Sequence, residues 1–198
     1  MMRLTDKIDH EGRLFPYLIS GLYDASDDIK QTVFEIIEDL GQQYEEDEEN
    51  EVKLRETKQF GAKSEWTFSG KIKDSDLTLP FPIAHRPRMG SRVMVRSYVR
   101  RYILALFKEI SEWMEEHRER ASNLLLYSLI YSEEYMTQYM DTMLVALYKQ
   151  VLQTGNKALK KNIPLILRYI GRYCMPYTYE PLIFPAIKNE LAAFYSYT

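Results

Sequence analysis

Residues 29–41, IKQTVFEIIEDLG, and residues 159–171, LKKNIPLILRYIG, place apolar side chains and a closing glycine at matching positions. In each segment the apolar residues recur at three- and four-residue spacing, which predicts a helix with one buried face. A second echo pairs Leu-Phe-Pro at residues 14–16 with Ile-Phe-Pro at residues 183–185. Two matched pairs of segments within one chain indicate an internal helical repeat.

The repeat has a recognisable length. After residue 86 the helical patterns come in pairs, and the first helix of each pair is centred near Tyr102, Leu144 and Ile183. The unit is therefore about 41 residues long, and a period of roughly 40 to 47 with two helices per unit is typical of HEAT and armadillo repeats. One pair cannot bury its own apolar face, so neighbouring pairs must stack. We expect an all-α, HEAT/armadillo-like α-solenoid of about three and a half helical-hairpin repeats.

The repeats divide the chain, which at 198 residues is expected to form one domain over residues 1–198. Repeat one is expected at about 11–47, repeat two at about 91–132, repeat three at about 135–175, and a final half repeat at about 178–196. Residues 48–88 break the period and predict an irregular insertion. Natural arrays close with a polar capping repeat, and the last helix here has no following partner. We therefore expect this chain to be a fragment of a longer protein.

Repeat two shows the helix pattern in detail. Its first helix is expected to begin at a cap provided by Ser91 and to carry one apolar stripe as far as Trp113. Its second helix is expected at about 115–131. In repeat three the two helices are expected at about 140–151 and about 159–174.

Composition restricts the compartment and the class of partner. Apolar residues make up 45% and charged residues 28%, and the formal charge of −3 gives no overall reason to expect nucleic acid or an anionic membrane. No segment approaches the ~20 apolar residues of a spanning helix, so we expect no membrane partner. Cys174 is the single cysteine and no Asn-x-Ser/Thr acceptor occurs, as is typical of the cytoplasm. Cys174 itself is expected in the core.

Residues that perform catalysis are scattered. His10, His85 and His117 lie far apart in the sequence, and none has a Cys or second His at zinc-ligand spacing. Phosphate-binding loops, nucleophile elbows and dinucleotide fingerprints do not occur. We therefore expect no catalytic residue, no metal, no cofactor and no enzyme activity.

Two basic surfaces are candidates for partner binding. Residues 77–108 hold seven bases and no acid, and a four-residue spacing predicts that three arginines stack on one helix flank: Arg92, Arg96 and Arg100. A second set shares a face in repeat three: Lys157, Lys161, Arg168 and Arg172. Three interpretations stay open: a solvated helix face, a docking surface for an acidic partner or for this chain's own acidic run at residues 45–51, and a phosphate-binding surface.

Tyrosine is abundant, with sixteen copies. Tyr127 and Tyr131 fall on the side of the second helix of repeat two that is expected to be exposed and to line the concave face of the solenoid. Tyr is favoured at interface anchors, so both are candidate partner contacts.

A family resemblance rests on residues 79–82, Leu-Pro-Phe-Pro, followed by Arg86-Pro87-x-x-Gly90-x-Arg92-x-x-Val95-Arg96. Matching positions continue at Ala105, Leu106, Trp113, Arg118, Ala121, Leu124, Leu125 and Tyr139. Over about residues 79–150 the chain resembles the C-terminal HEAT units of the dynein axonemal assembly factor 5 family, also called HEAT repeat-containing protein 2. The Arg-Pro-x-x-Gly-x-Arg entry to a helix is its most specific piece.

The resemblance implies a cytoplasmic, non-catalytic scaffold that helps to pre-assemble axonemal dynein arms, with dynein intermediate or heavy chains and chaperones as partners. Two alternatives stay open. One is a general protein-interaction adaptor of the transport or phosphatase scaffold type. The other is a nucleic-acid-binding HEAT module that uses the arginine stripe, whose affinity would fall steeply with salt.

Overall fold

The computed structural model describes residues 4–46, 66–67, 70–71, 79–152 and 157–196, with side-chain environments for residues 13–46, 79–150 and 161–188. Its α-helices are α1 (Leu4–Gly21), α2 (Asp27–Glu46), α3 (Met89–Val99), α4 (Ile103–Ile110), α5 (Glu115–Ser132), α6 (Met140–Leu152), α7 (Lys157–Tyr173) and α8 (Pro176–Ser196). A 3-10 helix covers Glu133–Tyr139 between α5 and α6. Strands β1 (Trp66–Thr67) and β2 (Gly70–Lys71) pair antiparallel, with Trp66 opposite Lys71.

The helices pack in a succession that follows the chain. Helix α1 lies on α2, α2 on α3, α3 and α4 on α5, α5 on α7, and α6 on both α7 and α8. This is the stacking of an α-solenoid, and the predicted all-α class is confirmed. The predicted helices at about 115–131, 140–151 and 159–174 are confirmed as α5, α6 and α7. The division into repeats stays a prediction.

The first helix of repeat two differs from its prediction. Helix α3 ends at Val99 and α4 begins at Ile103, because the backbone leaves the helix at the intervening turn, where Tyr102 has φ −129° and ψ −19°. The break lets α3 pack against α2 while α4 packs against α6. The expected cap at Ser91 is also wrong: α3 begins at Met89, and Ser91 lies inside it with Oγ donating to the carbonyl of Ile37 at 3.0 Å.

Helices α2 and α3 cross at two glycines. A Cβ on Gly41 would lie 2.9 Å from Cα of Ser91 and would overlap its side chain, while a Cβ on Gly90 would overlap the carbonyl of Gly41. The crossing is also hydrogen-bonded, since the Gly90 amide donates to Oε1 of Glu45 at 2.7 Å. A carboxylate from α2 therefore satisfies one free amide at the start of α3, where the helix dipole favours negative charge.

Helix α5 is the centre of the fold. From Ala121 to Ser132 nearly every residue is buried, and Leu125, Leu129 and Ile130 have no exposed surface. Periodicity alone does not predict this, because a helix that neighbours cover on all sides shows little amphipathic contrast. Ser122 on α5 accepts a hydrogen bond from the buried amide of Asn162 on α7 at 2.9 Å, which links the two helices.

The predicted insertion at 48–88 lies largely outside the described residues, as does the acidic run after Glu46. The β1–β2 hairpin and residues 79–88 are its described parts. Residues 79–88 pack on the solenoid, since Ile83 and Pro87 are buried. The Phe81–Pro82 peptide bond in this segment is cis.

Candidate functional site

A buried carboxylate collects three of the seven bases identified in the sequence. Glu133 has no exposed surface, and Arg86 donates to it twice, from Nε to Oε1 at 2.7 Å and from Nη2 to Oε2 at 3.0 Å. Nη1 of Arg92 reaches Oε2 at 2.8 Å, and Nη2 of Arg96 reaches the same oxygen at 3.3 Å. Arg96 also pairs with Glu134, from Nη1 to Oε1 at 3.0 Å. We call these five residues the Glu133 cluster.

Three chain segments build the Glu133 cluster. Arg86 belongs to the segment before α3, and the four-residue spacing of Arg92 and Arg96 places both on one face of α3. Glu133 stands where α5 ends and the 3-10 helix begins, with φ 49° and ψ −126°. A residue other than glycine at such a φ costs on the order of 1–3 kcal/mol, so the ion pairs must offset local strain as well as desolvation.

The pKa values of the two acids in the cluster shift in opposite directions. Burial would raise the pKa of Glu133, but the hydrogen bond from Arg86 and the charges of Arg92, Arg86 and Arg96 outweigh it, so the pKa lies below its usual value. Burial raises the pKa of Glu134, and the Arg96 charge offsets only part of that effect. Glu133 is therefore the ionised partner that the arginines require.

Two of the three stacked arginines are therefore not part of an exposed binding surface. Arg92 is 7% exposed and Arg96 is 9% exposed, so the expectation that they lie on an exposed flank of their helix is wrong. The spacing does stack the two side chains, but the face they share turns inward because Glu133 neutralises them there. Arg100, at the end of α3, is exposed. The structure separates it from the stripe, and its binding of a partner stays a prediction.

The two candidate tyrosines are also buried. Tyr127 donates its hydroxyl to the carbonyl of Phe81 at 2.8 Å, and burial raises its pKa to about 12. Tyr131 has no exposed surface; burial, and then the charge of Glu38, raise its pKa well above the usual value. The expectation that this side of α5 is exposed is wrong, because α3, α4 and α7 all pack against α5.

The basic face of α7 is open where the structure describes it. Lys161 and Arg168 are exposed and Arg172 is half-buried, while the side chain of Lys157 lies outside the described residues. Helix α7 holds five bases and no acid over residues 157–173. Of the two predicted basic surfaces, this is the one that faces solvent.

An apolar groove lies between α6 and α8, with α7 as a third wall. Its volume is about 650 Å³, and it is lined chiefly by apolar side chains, including Leu144, Val145, Tyr148, Leu167, Leu182 and Ile187. The sequence interpretation missed this groove because it assigned the apolar residues of α6 to one buried stripe. The available signal was that Val145 and Tyr148 are apolar but fall off that stripe.

Trp113 is exposed, contrary to its predicted place at the end of an apolar stripe. Helix α4 ends at Ile110, and Trp113 lies in the turn before α5 with 82% of its surface exposed. It borders a cleft of about 320 Å³ together with Glu109, Glu112 and His117. Cys174, by contrast, is buried as predicted, and burial raises the pKa of its thiol to about 11.

Chemistry-bearing clusters are sparse in the part of the chain that the structure describes. Within it, no three side chains among His, Cys, Asp and Glu come together in a way that could hold a metal ion. No helix among the same residues combines the length and apolar character that crossing a bilayer requires.

Glu133 is the residue that sequence reasoning missed. The available signal is an acidic pair, Glu133 and Glu134, directly after an apolar helix and between the expected repeats two and three. An acid at that place is unremarkable until the fold brings Arg86, Arg92 and Arg96 around it. These arginines all belong to the motif on which the family resemblance rests.

Comparison with known proteins agrees with that resemblance. Dynein axonemal assembly factor 5 of Xenopus laevis is 23% identical over 194 residues, that of Homo sapiens 23% over 195 residues, and that of Mus musculus 24% over 193 residues. Each alignment covers 98% of this chain but 21% of the relative, so the chain spans about one fifth of the length of these proteins. No solved structure matches the chain. A family model described as the HEAT-repeat domain of dynein axonemal assembly factor 5 matches residues 79–194, which is more than half of the chain, and the chain therefore belongs to that family.

Proposed function

We propose that this chain is part of a non-catalytic HEAT-repeat scaffold that acts in the cytoplasm in the pre-assembly of axonemal dynein arms. In this role it binds dynein intermediate or heavy chains and chaperones. The observation that carries the proposal is family membership over residues 79–194, because the relatives named for dynein assembly share this domain. The partners themselves are the part of the proposal that needs experiment.

The fold supports a scaffold rather than a site of bond chemistry. An α-solenoid offers long surfaces to other proteins, and its repeats bind by shape and charge. The Arg-Pro-x-x-Gly-x-Arg motif fits a structural role, since Arg86 and Arg92 bind Glu133 and Gly90 lies at the α2–α3 crossing. Partner contacts are then left to exposed residues, of which Arg100, Lys161 and Arg168 were predicted from sequence.

The test is affinity purification of the tagged natural protein from the cytoplasm of cells of the source organism that build motile cilia. We expect dynein intermediate or heavy chains to co-purify with the tagged protein in larger amounts than with a control, a tagged unrelated α-solenoid. Depletion of the protein is expected to remove dynein arms from newly built axonemes, as seen by electron microscopy. Abundant expression of the protein in cells that never build motile cilia, together with intact arms after depletion, would contradict the proposal.

The nucleic-acid hypothesis loses the feature on which it rested. Arg92 and Arg96, two of the three stacked arginines, pair with the buried carboxylate of Glu133 and are not available to phosphates. A general adaptor of the transport or phosphatase scaffold type uses the same surfaces, and the purification distinguishes it by the identity of the captured proteins.

A further inference from the structure

The α6–α8 groove leaves a set of apolar side chains open to solvent. Five of its lining residues are large apolar side chains that remain exposed, with Val145 at 53% and Ile187 at 48%. Tyr148 on α6, Leu167 on α7 and Leu182 on α8 are the other three. Single exposed apolar residues are ordinary, but a contiguous patch of this kind marks an interaction site. The groove is therefore more than incomplete packing of one side chain.

The shape of the groove suits a helix. Two helices, α6 and α8, form its walls, and Leu167 of α7 contributes to its lining. The volume of the groove is about 650 Å³. Grooves between helices bind amphipathic helices, which insert apolar side chains spaced three and four residues apart.

Charge determines which helix fits. Helix α7 carries five bases and no acid, and its exposed Lys161 and Arg168 lie seven residues apart, on one face. Arg168 follows Leu167 of the groove lining, so a rotation of about 100° around α7 leads from the groove to the basic face. Asp141 and Lys149 also line the groove, and their formal charges sum to zero. The surroundings are therefore positive, and the complementary partner is negative.

We propose that this groove and the adjoining basic face of α7 bind an acidic amphipathic helix of a partner protein, with its apolar side in the groove and its carboxylates on Lys161 and Arg168. The proposal rests on the proposed scaffold function and names the chemical class of the client segment. The proposed binding surface combines two features. One is the set of apolar residues of α6 that lie outside its buried stripe, and the other is the basic face of α7.

The direct test uses a defined probe: a fluorescein-labelled, 18-residue helical peptide with Leu on one face and Glu on the other. Its binding to the 198-residue chain is measured by fluorescence anisotropy at low and high salt. Two matched peptides serve as controls, one with Lys in place of every Glu and one with the Leu/Glu sequence scrambled. We expect the Leu/Glu peptide to bind at least about tenfold more tightly than either control, and its affinity to fall with salt because exposed charges are screened.

Variants separate the two halves of the surface. Val145→Glu places a carboxylate in the groove and is expected to weaken peptide binding about tenfold or more, since it removes an apolar contact and repels the peptide. The double variant Lys161→Glu with Arg168→Glu is expected to weaken binding about tenfold and to abolish its salt dependence. Tyr17→Glu, at a 76% exposed position on α1, is the control and should change affinity by less than about twofold. Thermal unfolding of each variant establishes that it is folded.

Several results would overturn the proposal. Equal affinity for the Leu/Glu and Leu/Lys peptides would refute the acidic class, and equal affinity for the scrambled peptide would refute the groove. Sedimentation that shows a dimer dissociated by Val145→Glu would place a second copy of the chain there. Binding to the 198-residue chain that is lost in a longer natural form would place a segment of the same polypeptide there.

A cell experiment distinguishes this proposal from the proposed function. The natural protein is depleted and then replaced by wild type, by Val145→Glu or by Tyr17→Glu, and axonemal dynein arms are counted. We expect rescue by wild type and Tyr17→Glu but not by Val145→Glu. Rescue by all three would refute the groove while leaving the assembly function standing. Intact arms without any replacement would refute the assembly function.

Discussion

Arg86 and Glu133 form a two-point ion pair in the interior, with Nε of the arginine 2.7 Å from Oε1 and Nη2 3.0 Å from Oε2 of the carboxylate. The pair connects the segment before α3 to the end of α5, 47 residues later in the chain. Parallel hydrogen bonds of this kind fix orientation as well as charge. With Arg92 and Arg96 on the same carboxylate, the pair holds together the segments that meet at the centre of the solenoid.

Glu133→Gln is expected to destabilise the chain by about 3–5 kcal/mol, because it leaves buried guanidinium groups without their charge partner. The measurement is urea unfolding followed by circular dichroism. Glu116→Gln, at an exposed position on α5, is the matched control and should stay within about 0.5 kcal/mol of wild type. Equal urea midpoints for Glu133→Gln and wild type would show that the Glu133 cluster contributes little to the free energy of unfolding.

The contribution of Glu133 depends on pH in a direction that its environment fixes. Its pKa is lower in the folded chain than the value of about 4.3 usual for an unfolded one, so its stabilisation is present above that value and is lost as pH falls through the folded pKa. The stability difference between wild type and Glu133→Gln should therefore shrink on acidification. Urea midpoints of both chains between pH 7 and pH 3 test this, and a constant difference would contradict it.

Gly41→Ala is expected to destabilise by about 1–3 kcal/mol or more, because the added methyl group overlaps Ser91 where α2 and α3 cross. Gly171→Ala is the matched control, since a Cβ there meets nothing within 4 Å. Alanine in an exposed helix interior stabilises by about 0.5–1 kcal/mol relative to glycine. The midpoint temperature of thermal unfolding should fall for Gly41→Ala and rise for Gly171→Ala. A shift in the same direction for both would show that the α2–α3 crossing has room for a methyl group.

Two tyrosines one helical turn apart should respond differently to removal of the hydroxyl. In the part of the chain that the structure describes, the buried hydroxyl of Tyr131 makes no hydrogen bond, so Tyr131→Phe should be neutral or slightly stabilising. Tyr127→Phe removes the hydrogen bond to the carbonyl of Phe81 and should cost about 1 kcal/mol. Urea unfolding of both variants checks the order, and a larger loss for Tyr131→Phe would reverse the interpretation.

Trp113→Ala should change stability by less than about 0.5 kcal/mol, because 82% of the side chain is exposed in the folded chain. Leu125→Ala, at a fully buried position of α5, provides the comparison and should cost about 2–5 kcal/mol. Thermal unfolding measures both. A loss for Trp113→Ala comparable to that for Leu125→Ala would place the indole in the core, where the apolar pattern of the sequence predicts it.

Much of the fold follows from local pattern. The spacing of apolar residues at 140–151 and 159–174 predicts α6 and α7, because one face of each helix is buried and the other is exposed to solvent. The same rule fails for α5, because neighbouring helices cover it on several sides, and it wrongly predicts that Tyr127 and Tyr131 are exposed. It fails again at Trp113, because the chain turns after Ile110 and the helical register is lost.

The sequence by itself determined a stacked helical repeat, the family through the Arg86–Arg96 motif, and the basic character of α7, since each is a property of residues close together in the chain. Only the tertiary structure decided that Arg92 and Arg96 face inward and that α6 and α8 leave an apolar groove open. Both depend on which segments meet across long separations, as Glu133 meets Arg92 from 41 residues away. A four-residue spacing fixes which side chains share a face, but the partner that covers that face decides whether it is buried.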